Sequence, residues 1–201
     1  MAMRDFSIDR VKELIEVARG VPGTGNALVD SMYNSVIPIT GHDNPYYRLF
    51  YVLAQELQPR AVVELGSWRG IAAAHFAVGY SDADVFTIDI HREDKVSQGI
   101  VIDVAAKIPN MTYLNGWTWD PHIVDTIRQR AAPIDILFID AWHEYEYVMA
   151  EWSLYSPLLA DGSLVVMDDI FDAPGATVEM VRAWEEITFD FSDDYKFLCG
   201  S

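Results

Sequence analysis

Cysteine is nearly missing from this 201-residue chain, which carries a single one, Cys199. One thiol excludes an internal disulfide and fits a reducing cytoplasm, and no Cys/His pairs stand at zinc-site spacing. Basic residues are scarce as well: 14 Lys and Arg face 31 Asp and Glu, a formal net charge of −17. Such a chain repels a phosphate backbone, which argues against nucleic acid as substrate and makes divalent cations more natural company. No apolar run approaches the ~20 residues of a membrane span, and Met1 to Arg10 has no signal-peptide apolar region. A soluble, cytoplasmic protein with no membrane partner is expected. Repeats, low-complexity stretches and linkers are absent too.

What is present is enough for one core flanked by helices, with 51% hydrophobic and 22% charged residues. The expectation is one domain over residues 1–201, with residues 1–58 as a helical cap region. Ser7 caps a helix whose Val11, Leu14, Ile15 and Ala18 recur at helical spacing up to Gly20. Pro22 to Asn26 reads as a glycine-rich connector, since it follows a helix and not a strand. From Ala27 to Gly41 a short helix and a loop over the ligand mouth are expected. Asn44-Pro45 opens a helix with Tyr47, Phe50, Val52, Leu53 and Leu57 on its apolar face. From there strands and helices alternate. The strands end at Leu65, Asp89, Leu114, Asp140 and Asp168, and the intervening helices run from about Arg69 to Val78, Lys95 to Ile108, from Asp120-Pro121 onward, and His143 to Leu159. This pattern specifies a doubly wound α/β domain with a mostly parallel sheet and helices on both faces. After a helix from Pro174 to about Glu186, Ile187 to Phe191 and Tyr195 to Cys199 read as a terminal antiparallel hairpin.

The stretch Ala61-Val62-Val63-Glu64-Leu65-Gly66-Ser67-Trp68-Arg69-Gly70 organises the rest. It reads as a buried strand that stops at an acid and turns through two glycines into a helix, where Ala72, Ala73 and Ala74 allow close packing on the sheet. A second run, Val85 to Asp89, ends in an acid at about the ~20-residue offset where a βαβ site places its ribose-binding carboxylate. The spacing Glu-x-Gly-x-x-x-Gly departs from the Gly-x-Gly-x-x-Gly that cradles a pyrophosphate, which disfavours an NAD enzyme. Together with Asp89 this stretch resembles the first two motifs of class I S-adenosylmethionine-dependent methyltransferases. The resemblance implies a Rossmann-like, seven-stranded methyltransferase sheet closed by the C-terminal hairpin. It also implies a cofactor site at Glu64, Gly66, Ser67 and Gly70, where Gly66 lets backbone approach the methionine moiety and Asp89 accepts both ribose hydroxyls. Asn115 to Asp120 follows the third strand at the ligand-binding edge, so Gly116, Trp117 and Thr118 carry over as adenine contacts. Trp119 reads equally as a core anchor.

Two further apolar runs, Ile134 to Asp140 and Leu164 to Asp169, also stop at carboxylates. If the strands are neighbours, Asp140, Asp168 and Asp169 converge. At ~4 Å and an effective dielectric near 20 each charged pair repels by about 4 kcal/mol, and a hard divalent ion with oxygen ligands resolves that conflict. Helix and turn capping is the plainer reading of each acid taken singly. The pattern resembles metal-dependent O-methyltransferases of the catechol, caffeoyl-CoA and macrocin types. That likeness implies Asp140, Asp168 and Asp169 as metal ligands, magnesium as the expected ion, and Asp140 in the cofactor and catalytic sets as well. Where catechol-type enzymes carry a lysine base this chain has His143. Where sugar-type enzymes carry a second carboxylate it has Trp142, so motif matching leaves the acceptor class open.

His143 is the candidate base, since neutral imidazole is available near pH 7 and a nearby dication lowers its pKa. His42 is a second, loop-borne histidine that reads as solvent-facing. The expected reaction is in-line transfer of the sulfonium methyl of S-adenosylmethionine to a hydroxyl of a small-molecule acceptor, in a chain compatible with a homo-oligomer. A metal-independent methyltransferase and a non-catalytic S-adenosylmethionine-binding module are the rival readings.

Overall fold

In the computed structural model of the chain, residues 8–40, 46–91, 94–170 and 178–189 are described. Three helices come first: α1 (Ile8–Gly20), α2 (Ala27–Thr40) and α3 (Tyr46–Leu57). The alternating part follows as β1 (Ala61–Leu65), α4 (Ile71–Gly79), β2 (Asp84–Asp89), α5 (Lys95–Lys107), β3 (Met111–Asn115), α6 (Pro121–Arg130), β4 (Ile134–Ile139), α7 (Tyr145–Tyr155), β5 (Leu159–Met167) and α8 (Val178–Ile187). Every strand expected between Leu65 and Asp168 is present, and all pair in parallel.

The strand order is β3-β2-β1-β4-β5. The chain winds outward from β1 in one direction, then returns to β1's other side to lay down β4. Between β1 and β4 the crossovers leave on opposite faces, which opens a crevice at the carboxyl ends of the strands. β1 and β4 are buried along their whole length, and both read as continuous apolar runs because helices cover both sides of them. Pleating sends Val62, Ile136 and Phe138 toward α3 and α4, and Val63, Leu65, Leu137 and Ile139 toward α6, α7 and α8. The alanines of α4 are all buried, which lets that helix sit close to the sheet.

Four expectations need correction. Five strands are found among the described residues, where the resemblance implied seven. Ile187 closes α8 and Thr188 and Phe189 form a turn, so the expected hairpin does not begin at Ile187; its remainder lies at 190–201, outside the described residues. α2 is a full helix of 14 residues that tolerates Pro38 inside it, not a short helix and loop. α7 starts at Tyr145 and gives way to a 3₁₀ turn, Ser156–Leu158, so that β5 begins at Leu159 rather than Ser163. A register break between Ile134 and Ile136 and a left-handed Gly162 (φ 71°) absorb the extra residues at that strand's start.

Candidate active site

The sheet's hydrogen bonding runs one residue past the strand tips. Gly66 N donates to Ile88 O (2.9 Å), Gly116 N to Asp89 O (3.2 Å), Asp140 N to Leu65 O (2.8 Å) and Asp168 N to Ile139 O (3.1 Å). Gly116, Gly66, Asp140 and Asp168 therefore stand in one row along the rim. Gly66 has φ 96°, and a Cβ there would lie 1.9 Å from the carbonyl oxygen of Asp140. The glycine is required by the neighbouring strand tip itself. Trp68, His91 and Asp169 also adopt left-handed backbone, with φ of 43°, 43° and 54°. Non-glycine residues held there cluster where a structure over-determines a site.

Below the row lies a cavity of about 340 Å³ whose wall includes Gly66, Asp89, Gly116, Trp117, Thr118 and Asp140. That volume suits a small ligand. Six of the residues expected to bind a cofactor thus share one wall. Glu64, Ser67 and Gly70 do not line it. Pleating turns Glu64 toward its register partner Thr87 on β2, whose hydroxyl donates to the carboxylate and lies 2.5 Å from the Ser67 hydroxyl. Burial pushes the Glu64 carboxyl well up, against the opposing pull of Thr87, with Asp140 and Asp89 adding to the rise. Gly70, left-handed at the N-cap of α4, leaves room for Val101 and Met111.

Asp89 is held firmly at the tip of β2. One oxygen accepts from Ser67 N (3.0 Å) and Trp68 N (2.9 Å), the other from His91 N (2.9 Å). A carboxylate offers roughly four lone-pair sites, so gripping two ligand hydroxyls requires one of these backbone donors to let go. His91 braces the same corner: it is buried, and its ring nitrogens meet the Tyr113 hydroxyl and Trp68 O. Elsewhere in the lining Trp117 stacks on Trp119 at 4.7 Å, Trp119 on Tyr147 at 4.7 Å, and Trp142 meets Trp117 edge-on at 6.1 Å. Trp119 lines the cavity along with Trp117 and Trp142.

Asp140 belongs to the cavity and also to an acid cluster beside it. His143 lies between two carboxylates, Nδ1 3.1 Å from Asp169 and Nε2 3.5 Å from Asp140. Asp140, His143 and Asp169 offer one ligand atom each within 4.8 Å of one another. Asp168 is engaged elsewhere. One of its oxygens accepts from the Asp169 N–H at 2.9 Å, and the other from the hydroxyl of Tyr46 at the start of α3. The cleft's depth pushes the Asp140 carboxyl up, Asp168 and Asp169 add to the rise, and His143 opposes it. The hydrogen bond to Asp140 outweighs desolvation and raises His143. Burial, then Asp140 and Asp168, raises Tyr46 and keeps it a donor.

His91 and Glu151 were not legible as site residues, and although Tyr46 reads from the sequence as aromatic surface for an acceptor, its hydrogen bond to Asp168 was not legible either. His91, two residues past Asp89, carried a positional hint; the other two reach the site only through packing of α3 and α7. His42 lies outside the described residues.

Several known proteins resemble this chain in sequence or in fold. Residues 63–170 match the family described as a methyltransferase domain. A rhamnosyl O-methyltransferase from Mycobacterium leprae is 32% identical over 57% of this chain and 50% of its own length. One from Mycobacterium tuberculosis is 28% identical over 72% of this chain and 61% of its own length. The chain thus spans between half and two thirds of these curated relatives. Among solved structures, the O-methyltransferase TomG from Streptomyces achromogenes, in complex with SAM, superposes with a TM-score of 0.65 at 20% identity, covering 96% of this chain and 89% of that one. The O-methyltransferase from Bacillus cereus, in complex with SAH, gives 0.64 at 16% identity, covering 92% and 89%. No described helix is long and apolar enough to cross a membrane. The family match takes in more than half of the chain, from β1 to the turn after β5, and so contains every strand tip on the rim: the chain belongs to the methyltransferase domain family.

Proposed function

We propose that this chain is an S-adenosylmethionine-dependent O-methyltransferase acting on a sugar hydroxyl, with a divalent cation in the acid cluster. The observation that carries the reading is that Asp140 belongs at once to the cavity wall and to the cluster with His143 and Asp169. A donor in the cavity and an acceptor at the cluster would meet across one side chain. The name of the relatives supports a sugar as the acceptor.

The cavity residues supply orientation. Asp89 takes ribose hydroxyls, the Gly116–Thr118 turn and Trp117 take the adenine, and Gly66 lets β1's tip pass close beside the methionine end. Holding sulfur, methyl and oxygen in line is worth roughly 7 to 11 kcal/mol. The two carboxylates suit a hard divalent ion with oxygen ligands, such as magnesium or manganese. Asp140 and Asp169 would hold it, and when bound it would lower the pKa of the acceptor hydroxyl. Asp140 favours the imidazolium form of His143, so the base role needs the bound dication, which would return the ring to its neutral form and let it take the acceptor proton. Tyr46 keeps Asp168 oriented at the rim.

Calorimetric titration with S-adenosylmethionine, with and without magnesium or manganese, followed by a transfer assay on a simple rhamnoside, tests this. Cofactor binding and chelator-sensitive methylation are expected. Turnover that a chelator leaves untouched would remove the cation. If His143→Ala lost the cation along with activity, His143 would be a ligand and not the base.

A further inference from the structure

Glu151, on α7, is fully buried, with 0% of its surface exposed. One carboxyl oxygen accepts from the hydroxyl of Thr118; the other, Oε2, is the single buried side-chain oxygen or nitrogen without a hydrogen-bond partner among the described residues. A carboxyl left in this way is costly, and it persists where something else completes it. Its place is specific. Thr118 lines the cavity wall, Glu151 stands directly behind Thr118, and the Tyr155 hydroxyl donates to the Thr118 carbonyl at 2.7 Å, pinning the same turn from below.

The arrangement has a definite hydrogen-bonding sense. The hydroxyl proton of Thr118 is spent on Glu151, so what the Thr118 side chain offers the cavity is acceptor only, the lone pairs of its oxygen. The Thr118 carbonyl adds a further acceptor to the same turn. An exocyclic amino group at C6 can donate to this patch, whereas an exocyclic carbonyl there meets oxygen against oxygen. With the ribose at Asp89 on the tip of β2, the base extends toward the tip of β3, where this turn lies.

We propose that Glu151, acting through Thr118, is a specificity-determining positioning residue that makes the cavity select a 6-amino purine over a 6-oxo purine. This deepens the cofactor reading above and rests on it. Burial raises Glu151 to about 7, with Thr118 and His143 opposing and Asp140 reinforcing. Tyr155, the other titratable group nearby, turns its hydroxyl to the Thr118 carbonyl. The discrimination is therefore measured at pH 8, where the carboxyl is ionised.

The test compares S-adenosylhomocysteine with S-inosylhomocysteine by isothermal titration. The two ligands differ along one edge of the purine: at C6, amino against oxo, and at N1, an acceptor in adenine and an N–H in hypoxanthine. The wild-type protein is expected to prefer the adenosyl ligand by about tenfold or more, because leaving buried acceptors facing a carbonyl is heavily penalised. Glu151→Gln offers an amide N–H to the Thr118 oxygen and so frees the Thr118 hydroxyl to donate toward the cavity, which should cut that ratio by roughly tenfold, mainly by gaining affinity for the inosyl ligand. Thr118→Val, which keeps the carboxyl, should lower the ratio as well and serves if the first variant fails to fold. A change in both affinities by one factor, with the ratio intact in the folded variants, would mark Glu151 as mere support and overturn the proposal. So would a wild-type protein that binds the two ligands equally. Failure of the wild type to bind either ligand would instead remove the cofactor reading, and this inference with it.

Discussion

Asp135 lies near the start of β4 and Asp140 follows its last residue, yet the chain treats the two carboxylates in opposite ways. Asp135 accepts from the backbone N–H of Arg60 (2.7 Å) and Ala61 (3.4 Å) and from two guanidinium nitrogens of Arg60 at 3.3 Å each. Burial alone would raise its pKa, but those donors and the Arg60 charge outweigh it and leave the group below its ordinary value. Asp140 faces Asp168 and Asp169 with a single histidine in opposition, and its pKa goes up. One end of the strand carries an acid whose needs are met by the fold. The other carries an acid that the fold buries beside two like charges, and perturbed groups of that kind cluster at functional sites.

The sharpest way to test this contrast is Asp140→Asn. It should lower methyl transfer by roughly a hundredfold or more, the scale of losing a charge that acts on the transition state, without lowering the urea midpoint. A melting point that fell along with activity would place Asp140 among the structural acids.

Glu151→Gln extends the contrast to another acid on the functional side. The folded-state pKa of Glu151 is about 7, above its ordinary value of 4.5. The folded chain therefore holds a proton that the unfolded chain releases, and stability from this group is complete below pH 4.5 and lost as pH rises through 7. The variant should gain on the wild type across that window, by up to about 3 kcal/mol at pH 8 at 1.36 kcal/mol per pKa unit. Thermal melts at pH 5 and pH 8 check it; equal offsets at both would show that the carboxyl is not the source.

Asp135→Ala attacks the satisfied end. It removes a charged acceptor from two backbone donors and should cost about 2 kcal/mol of stability, read from denaturant midpoints, while the folded protein keeps its acceptor KM and turnover. The pH sense is the reverse of Glu151: the contribution of Asp135 holds above its ordinary pKa of 3.8 and disappears as pH falls below it. Arg60→Ala should have the smallest effect, under about 1 kcal/mol, since the Arg60 side chain is 64% exposed and its ion pair is screened. A loss as large as that of Asp135→Ala would show that the guanidinium, and not the backbone N–H groups, satisfies the acid.

The alternation of strands and helices was legible because each strand is a short apolar run bounded by turn residues or an acid. Asp120-Pro121 announced the start of α6, and the Asp120 side chain does accept from His122 N at 2.9 Å. Gly66, Asp89, Gly116, Trp117, Thr118 and Asp140 were readable as a set because each sits at or next to a strand end. Tyr46 and Glu151 were not. Tyr46 reads as aromatic surface or packing and Glu151 as an ordinary helix residue, and neither shows its partner until α3 is laid against the tip of β5 and α7 against the turn after β3. The full length of α2 was hidden by Pro38, and the early start of β5 by Asp161-Gly162, which local preference assigns to a turn.

The sequence by itself determined the layers, the parallel sheet and the rim on which the acids end, since hydrophobic periodicity and chain-local turn chemistry suffice for those. Only the tertiary structure decided that Asp140 is shared by a cavity and an acid cluster, that Tyr46 draws Asp168 aside, and that Glu151 stands behind Thr118. These are relations between residues far apart in the chain, and no local pattern encodes which side chains meet once the helices have packed on the sheet.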